Sequence, residues 1–185
     1  MKKFLLGLIV LIILSTIFLI STYNSIVIKH ETIKAKWAQV ENQLQRRNDL
    51  IPNLVNSVKG YITYEKTVLE DITNARSQWA RSTTIEEKIK AASMLDKALA
   101  RLLAVVENYP NLKADQTFLK LMDELAGTEN RIAVERMRYN EAVREYNIVV
   151  RTFPGNFVAN IFGYRPASEY FKAEEKAKAV PEVRF

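Results

Sequence analysis

Apolar residues form one unbroken run near the start of the chain and recur at helical spacing further along. The run Phe4–Ile20 reads FLLGLIVLIILSTIFLI and contains no charged residue. On an insertion scale it gains about 4–8 kcal/mol in a bilayer, and as a helix it spans ~26 Å. Extending it to residue 22 gives the thickness of a bilayer core, with Tyr23 at the interface. The pattern therefore predicts a transmembrane helix over about residues 4–22.

A cleaved signal peptide is the competing interpretation of this run. A signal peptide has a shorter apolar region, of about 7–15 residues, followed by a pair of small residues at the cleavage site. Each candidate pair after Ile20 includes a residue that is too large, so a retained anchor is favoured. Lys2 and Lys3 precede the run, whereas the next lysine is Lys29. The positive-inside rule therefore favours a cytoplasmic N-terminus, with the rest of the chain outside the cytoplasm.

Four stretches beyond the anchor repeat their apolar residues with a helical period. The predicted helices cover residues 24–59, 62–80, 84–108 and 115–152. Pro52 is expected to kink or restart the first helix, and Thr84 and Glu87 have capping-box spacing at the start of the third. The third should end at Pro110, and Phe153–Gly155 should end the fourth. No stretch alternates like a strand, and Gly and Pro number only five each.

These helices predict an all-α fold, in which an N-terminal transmembrane helix precedes an up-and-down antiparallel four-helix bundle with long first and last helices. The domain boundaries are then residues 1–22 for the anchor, 23–153 for the bundle and 154–185 for a C-terminal segment. Two short helices are expected in that segment, at 156–162 and 167–178. Its aromatic residues either pack onto the bundle or form a patch for a partner or the membrane surface. They are Phe157, Phe162, Tyr164, Tyr170 and Phe171.

Composition removes several classes of function. The chain has no cysteine and one histidine, His30, which excludes thiolate chemistry, His-rich zinc sites and a di-iron bundle. No phosphate-binding loop, nucleophile elbow or zinc-protease motif is present. The 27 basic and 21 acidic residues are interspersed, whereas a nucleic-acid binder usually gathers its basic residues on one stripe. We therefore expect no catalytic residue, no cofactor, no metal and no nucleic-acid partner.

Polar residues within the apolar stripes are the candidates for a buried network or a binding site. Arg47 interrupts the first stripe, and Glu129 and Arg136 interrupt the last. Since an unpaired buried charge is costly, Arg47 is expected to pair with Glu129. Tyr139-Asn140 and Tyr146-Asn147 repeat after seven residues, a spacing at which asparagine commonly sets helix register. The alternative is a polar pocket that binds a small ligand.

Several of these residues lie in motifs that resemble those of the LemA family of bacterial membrane proteins. The longest is QLQRRNDLIPNLV at residues 43–55, which continues to Lys59-Gly60-Tyr61. Shorter matches extend the resemblance over about residues 22–171: Tyr23-Asn24, Glu107-Asn108-Tyr109-Pro110-Asn111-Leu112, Glu129-Asn130-Arg131-Ile132, Tyr139-Asn140, Tyr146-Asn147, Phe153-Pro154 and Tyr170-Phe171. The resemblance implies a single-pass membrane protein with a four-helix soluble domain, and it carries over no activity. The motif positions of interest are Arg46, Arg47, Asp49, Pro52, Asn53, Glu107, Asn108, Tyr109, Pro110, Glu129, Asn130, Tyr139, Asn140, Tyr146 and Asn147.

The expected function is therefore a structural or protein-interaction role in the bacterial envelope. The chain would be held in the cytoplasmic membrane by residues 4–22 and would bind an envelope protein that the sequence does not identify. The alternative is a ligand-sensing bundle with a polar site near Arg47 and Glu129.

Overall fold

The computed structural model describes residues 2–62 and 65–171, and in these residues the regular structure is helical, with no strand. Six helices follow one another: α1 Lys2–Lys59, α2 Lys66–Arg81, α3 Ile85–Val106, α4 Pro110–Lys113, α5 Gln116–Arg151 and α6 Gly155–Phe162. Among the described helices, α1 alone is long and apolar enough to cross a membrane, and its apolar first part is exposed. The all-α fold class is thus confirmed.

Three expectations about the helices are corrected. The predicted anchor and the helix predicted after it form one continuous helix, because neither Gly nor Pro occurs among Tyr23, Asn24 and Ser25, where the two were expected to separate. The third helix ends at Val106, and Pro110 begins α4 instead, at a position where a missing N–H is tolerated. In the short helix expected at 167–178, residues 167–171 are not helical, and the rest lie outside the described residues.

Pro52 lies inside α1 without ending it, so the expected restart at this residue is wrong. Proline has no N–H to donate to the carbonyl of Asn48, four residues earlier. Arg76 of α2 replaces that donor, since its Nε lies 3.2 Å from the Asn48 carbonyl oxygen. A side chain from a neighbouring helix thus supplies the hydrogen bond that proline removes from α1.

We expect Arg76→Ala to lower the free energy of unfolding by about 1–3 kcal/mol, because it leaves the Asn48 carbonyl without a donor. In a Pro52→Ala background the new N–H can bond to that carbonyl, so Arg76→Ala should then have a smaller effect. Urea denaturation of the unchanged chain, the two single variants and the double variant, followed by circular dichroism, gives the coupling energy between Arg76 and Pro52. Additive effects of the two substitutions would contradict this account of Pro52.

Two helix starts are fixed by side chains. Thr84 and Glu87 form the expected capping box at α3, where the Thr84 hydroxyl accepts from the Glu87 N–H at 3.2 Å. At α5 the Asp115 carboxylate accepts from the N–H groups of Thr117 and Phe118, both at 2.9 Å. The bond from Phe118, followed by one from the Tyr61 hydroxyl, lowers the pKa of Asp115 below its ordinary value. The cap therefore stays charged to a more acidic pH than an ordinary aspartate.

The described chain divides into two compact units, and each has its own apolar core. The first unit comprises the chain up to Glu41 together with Val134–Ser168, and the second is built mainly from Asn42–Ala133. In the first, α1, α5 and α6 bury residues such as Ile26, Val143 and Val158. In the second, the later part of α1 packs with α2, α3, α4 and the start of α5. Examples from these five helices are Leu54, Ile72, Leu102, Leu112 and Phe118.

Candidate functional site

A buried arginine joins three helices in the second unit. Arg47 of α1 is 2% exposed, and its Nη1 bonds to the carboxylates of Asp96 on α3 and Glu129 on α5, the latter at 2.7 Å. Its Nη2 lies 3.3 Å from the carbonyl oxygen of Ala92, one turn before Asp96. The expected contact between Arg47 and Glu129 is therefore present. We call Arg47, Ala92, Asp96 and Glu129 the arginine cluster.

In the arginine cluster the guanidinium of Arg47 is buried, whereas the two carboxylates are partly exposed. The side chains of Asp96 and Glu129 are 29% and 46% exposed, so solvent reaches both carboxylates. Three buried polar atoms of α1 have no hydrogen-bond partner among residues 2–62 and 65–171: Arg47 Nε, Gln43 Oε1 and Asn48 Oδ1. The arrangement can hold three helices in register, and it leaves polar groups for a small molecule. It contains no nucleophile beside a base.

A second group of functional candidates lies in the first unit, where aromatic rings follow the apolar run Phe4–Ile20. His30 lies between two tyrosines, with its ring centroid 5.5 Å from that of Tyr146 and 5.7 Å from that of Tyr164. Tyr23 contacts Phe162 and Tyr164, at 4.6 and 6.2 Å between centroids. We call these five residues the aromatic cluster. Its rings join α1 and α5 to the chain at the end of α6.

Tyr146 and Asn147 fasten the chain that follows α6 to α5. The Tyr146 hydroxyl donates to the carbonyl oxygen of Arg165 at 2.9 Å. Burial, followed by the neighbouring Tyr164, raises the pKa of Tyr146, so the hydroxyl keeps its proton to a more alkaline pH than an ordinary tyrosine. The Asn147 amide binds the Ala167 backbone twice, donating to its carbonyl at 2.9 Å and accepting from its N–H at 2.8 Å. These bonds hold residues 165–167 in a non-helical path.

We expect Asn147→Ala to free the Ala167 backbone and lower the free energy of unfolding by about 1–3 kcal/mol. The local measurement is hydrogen exchange at the Ala167 amide, which should speed up well beyond any change in the middle of α5. Asn160→Ala, at an exposed position on α6, is the matched control and should leave this rate unchanged. Equal exchange rates in the two variants would refute the role assigned to Asn147.

The remaining residues singled out in the sequence occupy varied positions. Exposed are Arg46, Asp49, Asn53, Glu107, Asn108 and Asn130; half-buried are Tyr109, Arg136 and Asn140; and Tyr139 is buried. Asp49 accepts a hydrogen bond from Gln45, and Glu107 forms an ion pair with Lys113. The Tyr139 ring packs edge-on against Trp37 at 5.6 Å. Tyr109 precedes α4 and packs against the core of the second unit.

Sequence reasoning missed two participants in these clusters. Asp96 was overlooked because it is one of many carboxylates on an amphipathic helix, although it lies one residue after the core residue Leu95. His30 belongs to none of the sequence motifs, yet its ring contacts two tyrosines. Its signal was helical spacing from Ile26 and Ile33, both of which are buried. Within residues 2–62 and 65–171, no group of three His, Asp or Glu side chains is placed to hold a metal ion.

Comparison with known proteins assigns the chain to a family. It is 29% identical, over 196 aligned residues, to magnetosome protein MamQ 2 of Paramagnetospirillum magneticum, covering 90% of this chain and 72% of that protein. Magnetosome protein MamQ of Magnetospirillum gryphiswaldense is 26% identical over 83% of this chain and 65% of its own length. Protein LemA of Metamycoplasma hominis is 28% identical over 62% of this chain and 53% of its own length. The LemA family model matches residues 36–185, and the chain therefore belongs to the LemA family.

Proposed function

We propose that this chain is a single-pass protein of the bacterial cytoplasmic membrane whose helical part binds an envelope protein and catalyses no reaction. The observation that carries the proposal is α1, in which an apolar run long enough to cross a bilayer continues without a break into residues that build a helical core. Such a helix anchors the chain and positions a binding surface. The charged side chains of the arginine cluster bind one another across three helices, which supports a role without catalysis.

The proposal includes an up-and-down four-helix arrangement for the extramembrane part. Four long helices, α1, α2, α3 and α5, follow one another with short connections, which favours antiparallel neighbours. The short α4 then belongs to the connection between α3 and α5. Distances between spin labels placed in pairs on successive helices would test this arrangement.

The proposed orientation puts the N-terminus in the cytoplasm, because Lys2 and Lys3 precede the apolar run. Since the native chain has no cysteine, one introduced cysteine reports its own compartment. In intact cells with a permeable outer layer, a membrane-impermeant maleimide should label Ser82→Cys. The same reagent should label a cysteine inserted between Met1 and Lys2, which keeps both lysines, only after the cytoplasmic membrane is opened. The reverse pattern would place the helical domain in the cytoplasm.

Exposed apolar residues on α5 indicate where a partner can bind in the first unit. Val134, Met137 and Ile148 are each more than 40% exposed, and helical spacing places them on one side of α5. A photo-crosslinking residue at Met137 should give a discrete adduct in intact membranes. The same residue at Arg138, the exposed neighbour, should give much less. The crosslinking residue is then placed at Val134 and at Ile148 in the same way. If none of the three positions yields a discrete adduct, the proposed binding of a partner through this surface is wrong.

A second function is favoured by the unpartnered polar atoms of α1: the chain would bind a small polar molecule at the arginine cluster. Gln43 Oε1 and Asn48 Oδ1 can accept hydrogen bonds and Arg47 Nε can donate one. Native mass spectrometry of the protein released from membranes should then show a bound small molecule. That mass should be absent from Arg47→Lys and present in Arg46→Lys. A protein without any adduct would remove this candidate.

A further inference from the structure

Helix α6 has an apolar surface that the first unit does not cover. Its sequence, GNFVANIF, contains no charged residue. Gly155, Val158 and Ala159 are buried, whereas Phe157, Ile161 and Phe162 are each about 60% exposed. Phe153, just before the helix, is more than 80% exposed. Four large apolar side chains thus face away from the core within ten residues of chain.

Contacts within the first unit place this surface at the end of the transmembrane run. Tyr23 directly follows that run, and its ring contacts Phe162 at the end of α6. The start of α6 lies level with Tyr23 along the axis of α1, as the pairing of α1 with α5 shows. Lys29 of α1 pairs with Glu145 of α5 at 2.6 Å, and the two helices run in opposite directions there. Six residues further along α5, about 9 Å, bring Arg151 level with Tyr23.

The charge around α6 suits a phospholipid surface. Residues 146–168 include two arginines, Arg151 and Arg165, and no Asp or Glu, and residues 18–28 contain no charge. Both arginines are exposed. Arginine beside an apolar surface can bury its stem and keep its guanidinium among anionic headgroups. Aromatic and aliphatic side chains between such cations are typical of segments that lie in the bilayer interface.

We propose that α6 is a second membrane contact. Phe153, Phe157, Ile161 and Phe162 enter the headgroup boundary of the bilayer that α1 crosses, and Arg151 and Arg165 bind its anionic phospholipids. The proposal commits to lipid because the exposed surface is continuous, through Tyr23 and Phe162, with the membrane-spanning part of α1. The bonds from Tyr146 and Asn147 to residues 165–167 would then hold α6 in this position. This inference rests on the proposed anchor.

Spin labels at single introduced cysteines test the inference with the full chain in proteoliposomes. We compare Phe157→Cys and Ile161→Cys with Ser15→Cys, inside the apolar run, and with Met137→Cys, an exposed apolar position well away from Tyr23. Labels in lipid are relaxed more by oxygen, and labels in water more by a nickel chelate. Labels at 157, 161 and 15 should show the lipid pattern, and the label at 137 the water pattern. All these positions are exposed, so the substitutions should leave the fold intact.

The possible outcomes distinguish a wrong assignment of α6 from a wrong assignment of the transmembrane helix. If the label at 15 reports lipid while those at 157 and 161 match the label at 137, the second contact does not exist. If the label at 15 also reports water, the anchor itself is wrong. Labels at 157 and 161 that neither reagent reaches would show that a protein covers α6, which also overturns the proposal. The test needs vesicles with few protein copies, so that neighbouring chains do not cover the surface.

A second arm tests the two arginines. Adding phosphatidylglycerol to phosphatidylcholine vesicles should move the label at 157 deeper into the bilayer. The measure is the ratio of its relaxation by oxygen to its relaxation by the nickel chelate, which should rise. Arg151→Gln combined with Arg165→Gln should abolish that shift while the label at 15 stays unchanged. The exposed pair Arg138→Gln and Arg144→Gln is the control and should keep the shift. A lipid-dependent shift that survives loss of Arg151 and Arg165 would contradict their assigned role.

Discussion

Replacing Arg47 with alanine should lower the free energy of unfolding by about 3–5 kcal/mol, near the lower end of that range. The guanidinium is 2% exposed and bonds to Asp96, Glu129 and the Ala92 carbonyl. Its loss leaves two carboxylates close together without their shared cation, and it empties the space that the side chain filled. Because both carboxylates reach solvent, they regain part of their hydration, which limits the loss.

The neighbouring arginine provides the control for this experiment. Arg46 is exposed, so Arg46→Ala should change the free energy of unfolding by no more than about 0.5 kcal/mol. Arg47→Met fills most of the volume without the charge and separates lost packing from lost pairing. Urea denaturation of the detergent-solubilised chain, followed by circular dichroism, measures all three variants. An Arg47→Ala protein as stable as Arg46→Ala would show that the arginine cluster does not stabilise the second unit.

Gly155→Ala should be strongly destabilising although it adds only one methyl group. An added Cβ would lie 2.0 Å from the Val149 carbonyl oxygen and 3.0 Å from its carbon. Both atoms belong to the backbone of α5, so no side chain can move aside and α6 has to shift. We expect a loss of about 1–3 kcal/mol or more, as for other overpacked sites. Hydrogen exchange in α6 should rise with the same substitution.

Gly127→Ala is the matched control, and its effect should have the opposite sign. Gly127 lies within α5, and nothing approaches within 4 Å of an added Cβ there. Alanine is the better helix former, so this substitution should stabilise the chain by about 0.5–1 kcal/mol. The two Gly→Ala substitutions thus differ in sign because only at residue 155 does the added Cβ meet backbone. A stabilised Gly155→Ala protein would contradict the close packing of α6 on α5.

Local signals in the sequence predicted much of the fold because they act over a few residues. The capping box at Thr84 and Glu87 needs only a spacing of three, and the structure contains it. The end of the long last helix follows from Phe153-Pro154-Gly155, and α5 ends at Arg151. The same reasoning left open whether the first helix kinks or restarts at Pro52, because the donor that replaces its N–H is Arg76, on another helix.

For the candidate site, the sequence predicted two of the four residues of the arginine cluster. Arg47 and Glu129 stood out because they interrupt apolar stripes, and a charge there needs a partner. Asp96 did not stand out, since a carboxylate on an amphipathic helix is usually on the solvated face. The repeat of Asn140 and Asn147 suggested register within the helices, whereas Asn147 binds the backbone of Ala167, twenty residues away. A heptad spacing carries no information about such a partner.

The sequence by itself determined the apolar run at Phe4–Ile20, the helical class and the resemblance to the LemA family, because hydrophobic period and local motifs are properties of neighbouring residues. Only the tertiary structure decided which groups share the charge of Arg47, how α1 passes Pro52 and why residue 155 is glycine. It also brought Phe162 against Tyr23, which places one of the C-terminal aromatics beside the end of the apolar run. These features depend on atoms from distant parts of the chain, and their meeting is a result of packing.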